Sequence, residues 1–498
     1  MIPNRSTIFF LIGGISLGLA WHFPSAHLAS FLGLCSVFLL ILPFRLNLKL
    51  SYKGIYLFGI SSHLIAFYWI YNTIKDFGGY PPIPAFLIFL LFVILHSIQF
   101  PLFLLIRKNL DFIILDRFKL SNFLAFITAE FFSFKIFPWY FGHSFSSLKI
   151  FTQIADIAGV LSITLFMFLI VEFLIDLIFF KKLKRSIVGI CSIHILVGVY
   201  GLYQINHLNS LIQNKLKVSL IQADIGIFEK NNVKYLSANT NKYYKLSNQA
   251  LKDFSPDLII WPESAITDFV NLDVKNALDT NALPFFDKTN FLVGTLSQNN
   301  LGIYNSAVGI KKDYSLTQSY HKQILMPFGE YMPLANIFPV LNDFNPNVAN
   351  FIAGEKVEVF SLDYNIKVSP LICYEDIIPS LARDATNKGA NLLTNLTNDA
   401  WFGNTIASKQ HNLIASFRAI ENKRFLLRST NSGLTSVINP LGETISEIPV
   451  FSENILNARV DLLNIETIYS KYLGEKIWYF LIFITTVLFL WRFRKNYE

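Results

Sequence analysis

The sequence predicts a polytopic α-helical membrane domain of about eight spans joined to an α/β sandwich outside the membrane. Three observations predict it. The 498-residue chain is 53% hydrophobic and 15% aromatic, with 49 Phe, and its mean hydropathy is +0.43, more apolar surface than a soluble fold of this length can bury. The long apolar runs are gathered in the first two hundred residues and in one closing segment. From Lys217 onward the texture changes to short β-rich runs broken by Asn, Asp, Gly and Pro.

The apolar runs fall at residues 7–23, 27–44, 54–73, 84–106, 120–138, 156–180, 187–204 and 476–491. Each is about long enough to cross a hydrocarbon layer of roughly 30 Å. The first follows Arg5 and resembles a secretory signal, with Gly18 and Ala20 offering a cleavage position. Because further spans follow it closely, it is expected to be retained as a membrane helix.

Orientation follows from the basic residues, which stay on the cytoplasmic side. Alternate loops carry Arg45, Lys49 and Lys53, then Arg107, Lys108, Arg117 and Lys119, then Lys181, Lys182, Lys184 and Arg185; Arg492, Arg494 and Lys495 close the chain. Both termini are therefore expected in the cytoplasm. The expected division is a transmembrane domain at 1–204, an extracytoplasmic domain at 205–474, and a final helix with a cytoplasmic tail at 475–498. The net charge of +8 sits in those loops and tails, so a nucleic-acid-binding role has no footprint.

In the outer domain the expected strands are residues 217–223, 257–263, 290–297, 304–310, 367–375, 391–399 and 435–440. Several are apolar throughout, as strands buried on both faces are. A helix is expected over 407–427. There is no internal repeat, Gly-rich phosphate loop or HExxH motif, and no metal or cofactor is expected.

Cys35 and Cys191 lie inside apolar spans, which leaves Cys373, in "SPLICYEDIIPS", as the only thiol of the outer domain. Such a thiol has no intrachain partner there, and in an oxidising compartment it is a liability unless it reacts. "IIWPESAIT" leaves Glu263 just past an apolar strand, at the carboxyl edge where α/β folds place their sites. "YHKQILMPFGEYMP" sets Lys322 eight residues before Glu330. A thiol attacking a carbonyl needs a base for its proton and a cation or N–H donor for the oxyanion, and Glu263, Lys322 and Cys373 are of those types.

These three segments, 59 and 51 residues apart, resemble the Glu–Lys–Cys triad of the nitrilase superfamily of carbon–nitrogen hydrolases. With the spans before and after it, the whole chain resembles the bacterial apolipoprotein N-acyltransferase family. The likeness extends through "FPWYFG" (137–142), "VSLIQADI" (218–225), "YNSAV", "TNDAWFG" (397–403) and "RAIENKRFLLRSTNSGLTSV" (418–437). It implies an αββα nitrilase-like sandwich on the periplasmic side of a bacterial inner membrane. It also implies transfer of a phospholipid acyl chain to the α-amino group of an S-diacylglyceryl cysteine at a lipoprotein's N-terminus, by a monomer without cofactor.

Carried over by residue, the resemblance implies that Glu263 is the general base, Lys322 the transition-state lysine and Cys373 the nucleophile. Glu330 matches a glutamate that holds the lysine, Tyr374, Glu375 and Trp401 match residues around the acyl pocket, and Asn305 a polar position near the site. One departure is Asn231, which follows Lys230 where the family often has tryptophan; a lid built differently is the expectation.

A thiol of ordinary pKa, near ~8.5, is mostly protonated at neutral pH, and carboxylates beside it raise that value. Cys373 is therefore expected to wait as a thiol until Glu263 takes its proton. Phe328, Tyr331, Met332, Leu334, Ile337, Phe338, Val340 and Leu341 form an apolar loop that either enters the membrane interface or packs into the domain core. Trp401 and Phe402 are expected to line a pocket. His411 is expected to be an ordinary exposed helix residue, and His63, His96 and His194 to hydrogen-bond between spans. The alternatives are a membrane-tethered amidohydrolase, a transporter, for which Glu172 and Asp176 would be the main intramembrane acids, and a scaffold without activity.

Overall fold

A computed structural model describes residues 4–495 apart from 25, 111–118, 231, 281–282, 284–288, 334, 336 and 341–348. The expectations placed on Arg117, Asn231, Leu334 and Leu341 lie outside the described residues. The chain forms two compact units, Met1–Asn206 with Tyr472–Glu498, and His207–Lys471.

In the first unit, five helices among the described residues are long and apolar enough to cross a membrane: His27–Arg45, Pro82–Lys108, Val160–Phe180, Leu183–Leu211 and Lys476–Arg494. A sixth candidate, Tyr52–Ala66 with Trp69–Phe77, is bent by 56°. The eight expected runs are thus not eight unbroken spans. The run at 120–138 yields only Ser121–Phe132, because Ser133 turns its hydroxyl back onto Ala129 O and Pro138 cannot continue a helical ladder. The run at 156–180 is interrupted by Gly159, at φ +72°, before Val160–Phe180 begins.

Each membrane-run histidine bonds within its own helix, and two of the three also reach another segment, as expected. His63 Nδ1 meets Gly59 O at 2.8 Å, His96 Nδ1 meets Phe92 O at 2.9 Å and His194 Nδ1 meets Ile190 O at 2.9 Å. His63 Nδ1 also lies 3.5 Å from Ser97 Oγ of the next helix, and His96 Nε2 accepts from Ile136 N–H at 3.0 Å. A turn of helix always offers a carbonyl four residues back, so a buried imidazole satisfies itself locally first.

The second unit has thirteen strands among the described residues: β1 (Leu216–Gln222), β2 (Leu258–Ile260), β3 (Ile266–Val270), β4 (Asn290–Asn299), β5 (Gly302–Ile310), β6 (Tyr320–His321), β7 (Phe360–Ser361), β8 (Lys367–Ile372), β9 (Leu392–Thr397), β10 (Leu426–Thr430), β11 (Thr435–Ile438), β12 (Thr444–Ile448) and β13 (Asn454–Val460). One sheet runs β13-β1-β2-β4-β5-β6 with β3 beside β4; the other runs β12-β11-β10-β9-β8-β7. The inner strands β1, β2 and β4 pair in parallel, as do β8, β9 and β10.

Side-chain alternation builds the layers. Val218, Leu220, Leu258 and Ile260 of one sheet and Val368, Ile372, Leu392 and Leu396 of the other share one buried core. The intervening residues face outward: Ile221, Ile259 and Trp261 pack with Tyr243 and Leu246 of helix Leu236–Asp253. Leu371 and Leu393 pack with Ala382, Ala415 and Ala419 of helices Pro379–Asn387 and Ala407–Asn422. This is an αββα sandwich. The helix expected over 407–427 stops at Asn422, where Lys423 turns left-handed at φ +50°, and Leu426–Thr430 becomes a central strand beside β9.

Candidate active site

Glu263, Lys322 and Cys373 each stand just beyond the carboxyl end of a strand, β2, β6 and β8. Pro262 has no N–H to extend the ladder, so β2 ends and the chain turns at Ser264, φ +45°, leaving Glu263 buried at 7% exposure. The neighbouring strand approaches so closely that a Cβ on Gly294 would fall 2.3 Å from Pro262 O and 2.8 Å from Glu263 Cα. Lys322 is held by its main chain: its N–H donates to Asn305 O at 2.8 Å and its carbonyl accepts from Gly354 N–H at 2.7 Å. A side chain at Gly354 would strike His321 O at 2.1 Å.

Cys373 turns the chain sharply from β8 into the short helical turn Cys373–Ile377. Its φ is +53°, a left-handed conformation that costs a non-glycine residue roughly 1 kcal/mol or more. The turn is held from two sides. Asn395 Nδ2 donates to Cys373 O at 2.9 Å and to Leu371 O at 3.2 Å. The Glu375 carboxylate accepts from Ile372 N–H at 2.7 Å and from Tyr320 OH at 2.8 Å. Its other oxygen accepts from Gln323 N–H at 2.7 Å and Ile324 N–H at 3.1 Å. Glu375 is fully buried, and burial pushes its pKa up to about 7 against those bonds.

Around the lysine the acids are arranged in order. Lys322 Nζ is 2.7 Å from Glu330 Oε2 and 3.7 Å from Glu263 Oε1. Asn305 Nδ2 bridges the two acids, at 2.7 Å from Glu263 Oε1 and 3.0 Å from Glu330 Oε1. Glu330 Oε2 also accepts from Met326 N–H at 2.8 Å. Burial opposes the charge on Lys322, but Glu330 first and Glu263 with it outweigh burial and raise its pKa, so it stays an ammonium. Burial raises the Glu263 pKa, moderated by Lys322, which makes it a readier proton acceptor than a surface carboxylate.

The Cys373 thiol is raised far above its ordinary value, first by burial and then by Glu263, while Lys322 pulls it down. It is therefore held as a protonated thiol at neutral pH, Asp399 and Glu330 adding to the effect of Glu263. Tyr374 is pushed up to about 12 by burial and by Tyr331, which relates it to the apolar loop. Trp401 is 42% exposed, on the short turn Asp399–Phe402, and Asp399 is among the groups that act on Cys373.

The apolar loop does not pack into the domain core: Phe328, Ile337, Phe338 and Val340 are 52–63% exposed and Tyr331 is 38% exposed. His411 departs from its expected exposed setting. It is buried, with Nε2 2.7 Å from Asp376 Oδ1 and Nδ1 3.0 Å from Asp399 Oδ1, and Arg428 Nε donates to Asp376 Oδ2 at 2.9 Å. Burial would lower its pKa, but the two aspartates win and lift it to about 9. An amphipathic reading of the helix could not see this, because residues 407–422 are buried on nearly every face.

Three site-building residues were not singled out from the sequence. Lys230 is buried, and its Nζ donates to the Glu263 carbonyl at 2.7 Å; burial lowers its pKa to about 8, with Glu263 and Cys373 opposing. Asn395 is wholly buried, with its side-chain amide on the Cys373 carbonyl. Asp399 lies inside the "TNDAWFG" segment, two residues before Trp401, with no expected role of its own. No group of three or more His, Cys, Asp or Glu suited to a metal occurs among the described residues.

Residues 217–469 match the carbon–nitrogen hydrolase family, and residues 13–172 match the apolipoprotein N-acyltransferase N-terminal domain. The apolipoprotein N-acyltransferase of Geobacter metallireducens is 27% identical over 95% of this chain and 92% of its own. That of Bdellovibrio bacteriovorus is 30% identical over 78% of this chain and 76% of its own. That of Borreliella burgdorferi is 30% identical over 69% of each.

Proposed function

The chain belongs to the apolipoprotein N-acyltransferase family, and on that premise we propose that it transfers an acyl chain from a membrane phospholipid to the N-terminal amine of a diacylated lipoprotein through a Cys373 thioester. The observation that carries this reading is the setting of Lys322, 2.7 Å from Glu330 and 3.7 Å from Glu263, with all three charges acting on one half-buried thiol.

In the first half-reaction the Cys373 sulfur attacks the ester carbonyl as its proton passes to Glu263. The carbonyl oxygen becomes an oxyanion stabilised by the Lys322 ammonium and the N–H of Tyr374. The C–O bond then breaks, the lysophospholipid oxygen leaves with the proton from Glu263, and the acyl group stays on sulfur. In the second, the lipoprotein's α-amine attacks the thioester and gives its proton to Glu263. The C–S bond breaks, the sulfur recovers the proton, and the amide leaves. A thioester suits the exchange of one lipid substrate for another because it yields readily to amines and hydrolyses slowly where water is scarce.

Glu330 and Asn305 position the lysine and the base, and Glu375 positions the two loops that carry Lys322 and Cys373. Tyr374, Trp401 and the exposed apolar loop from Phe328 to Val340 receive the acyl chains, a role their exposure supports. The basic residues at alternate helix ends support an inner-membrane orientation with both termini cytoplasmic and the sandwich periplasmic.

The test supplies purified protein with a glycerophospholipid labelled in its acyl chains and a synthetic diacylated lipopeptide. Label on the lipopeptide in amide linkage is the expected result. Label released as free fatty acid at the same rate with or without the lipopeptide would mean that water resolves the acyl-enzyme and that the chain is an amidohydrolase-like enzyme instead.

A further inference from the structure

The first unit contains a cavity of about 520 Å³ whose chemistry the transfer reaction does not use. It lies where apolar helices end: Arg45 closes His27–Arg45, Arg107 and Lys108 close Pro82–Lys108, and Lys182 and Arg185 stand at the start of Leu183–Leu211. Lys119 completes the six basic side chains in its lining, against which stand two carboxylates, Glu172 and Asp176. Residues 111–118 lie outside the described residues.

The carboxylates are already engaged. The Arg45 guanidinium bridges Glu172 and Asp176, Lys119 Nζ lies 2.6 Å from Asp176 Oδ2, and Lys182 Nζ lies farther off, 3.7 Å from Asp176 Oδ1. Asn122 ties the same cluster together, accepting from Arg107 Nε at 2.7 Å and donating to Glu172. Intramembrane acids paired in this way are not open to carry an ion. The positive excess remains, and beside it Ser121, 1% exposed and in the cavity lining, has a hydroxyl with no hydrogen-bond partner among the described residues. A buried hydroxyl without a partner costs free energy unless a ligand or water meets it.

We propose that this cavity binds a phosphate-bearing anion, either the headgroup of an anionic lipid or free phosphate. Guanidinium and ammonium groups converging with a hydroxyl donor are the groups that hold phosphate oxygens, and basic pockets between membrane helices recognise anionic headgroups in this way. The site is separate in sequence and in unit from Glu263, Lys322 and Cys373, so it stands whether or not the transfer reaction does.

The experiment uses the full chain in neutral detergent, titrated with phosphatidylglycerol and with inorganic phosphate, bound adducts being counted by native mass spectrometry. Loss of two cations is expected to weaken phosphatidylglycerol binding about thirtyfold in Lys182→Gln/Arg185→Gln, while Lys311→Gln/Lys312→Gln, which removes the same charge from the other unit, binds as the unaltered protein does. Displacement of the lipid by millimolar inorganic phosphate would identify the free anion as sufficient. Retention of the lipid under phosphate, with loss in Lys182→Gln/Arg185→Gln, would identify the headgroup. Equal binding by Lys182→Gln/Arg185→Gln and the unaltered protein, or an equal loss in Lys311→Gln/Lys312→Gln, would overturn the site. Should Lys182→Gln/Arg185→Gln fail to fold, Ser121→Ala is expected to weaken binding about fivefold, and unchanged binding there would overturn it equally.

Discussion

Glu375 and Gln323 are joined by a 2.7 Å hydrogen bond from the Gln323 N–H, and the opposite oxygen of the same carboxylate holds Ile372 N–H. One buried side chain thus spans the residue after Lys322 and the residue before Cys373. In Glu375→Gln one acceptor oxygen becomes an NH₂ that faces N–H donors. A loss of about 1–3 kcal/mol in unfolding free energy is expected, together with a fall in acyl transfer larger than the stability loss explains. Thermal unfolding measured beside initial rates checks both, and a variant as stable and as active as the original would refute the clamp.

Glu263→Gln removes the proposed base while keeping the Asn305 contact site, and the rate of acyl-enzyme formation is expected to fall about 10²–10⁴-fold. Glu330→Gln should act more mildly, roughly tenfold or more, because Lys322 keeps its charge but loses the partner at 2.7 Å. Single-turnover measurements with labelled phospholipid separate this step from amine attack.

The raised thiol pKa of Cys373 sets its chemical reactivity. Alkylation by iodoacetamide is expected to be slow at pH 7 and to rise steadily with pH, without levelling off near the ordinary thiol value of about 8.5. Mass spectrometry of the peptide containing Cys373 across pH 6–10 gives the profile. A plateau below pH 8 would mean that Lys322 overcomes burial and the carboxylates and that the resting group is a thiolate.

His411 carries a pH dependence of stability. Its folded pKa is about 9 against about 6.5 unfolded, so the folded form binds the proton more tightly. The stabilisation is complete below pH 6.5 and disappears as pH rises through 9. It amounts to a few kcal/mol, since each tenfold gain in proton affinity is worth about 1.4 kcal/mol. Asp376, Asp399 and Arg428 are the charged groups around it. Urea unfolding at pH 6 and pH 9 should show this slope in the original protein and its loss in His411→Gln.

Exposed Ile337 and Phe338 are expected to serve lipid capture, not folding. Ile337→Asn/Phe338→Asn should leave the unfolding midpoint unchanged and raise KM for phospholipid about thirtyfold, since each of the two side chains buried in an interface contributes on the order of 1 kcal/mol or more. A lowered midpoint with unchanged KM would return these residues to the domain core.

Much of the fold and of the site is legible in the sequence. The apolar runs of β1, β8 and β9 read as doubly buried strands because they are buried on both faces, and the motifs around Glu263, Lys322, Glu330 and Cys373 single out residues that the fold brings together. Other features are hidden by their physics. The strand Leu426–Thr430 follows a helix directly, separated by the left-handed Lys423, so its apolar residues merge with the helical pattern. Tyr320–His321 and Phe360–Ser361 are two-residue strands, too short to show a period. Lys230, Asn395 and His411 are polar residues buried by contacts from distant segments, and spacing along the chain cannot reveal that.

The most direct measurement is the intact mass of the protein after incubation with phospholipid in the absence of a lipopeptide acceptor. A mass increase of one acyl chain is expected, located on Cys373, removed by neutral hydroxylamine, discharged by the diacylated lipopeptide and absent from Cys373→Ser. An unmodified mass in a preparation that turns over normally once acceptor is added, or an acyl group on another residue that hydroxylamine leaves in place, would contradict the thioester.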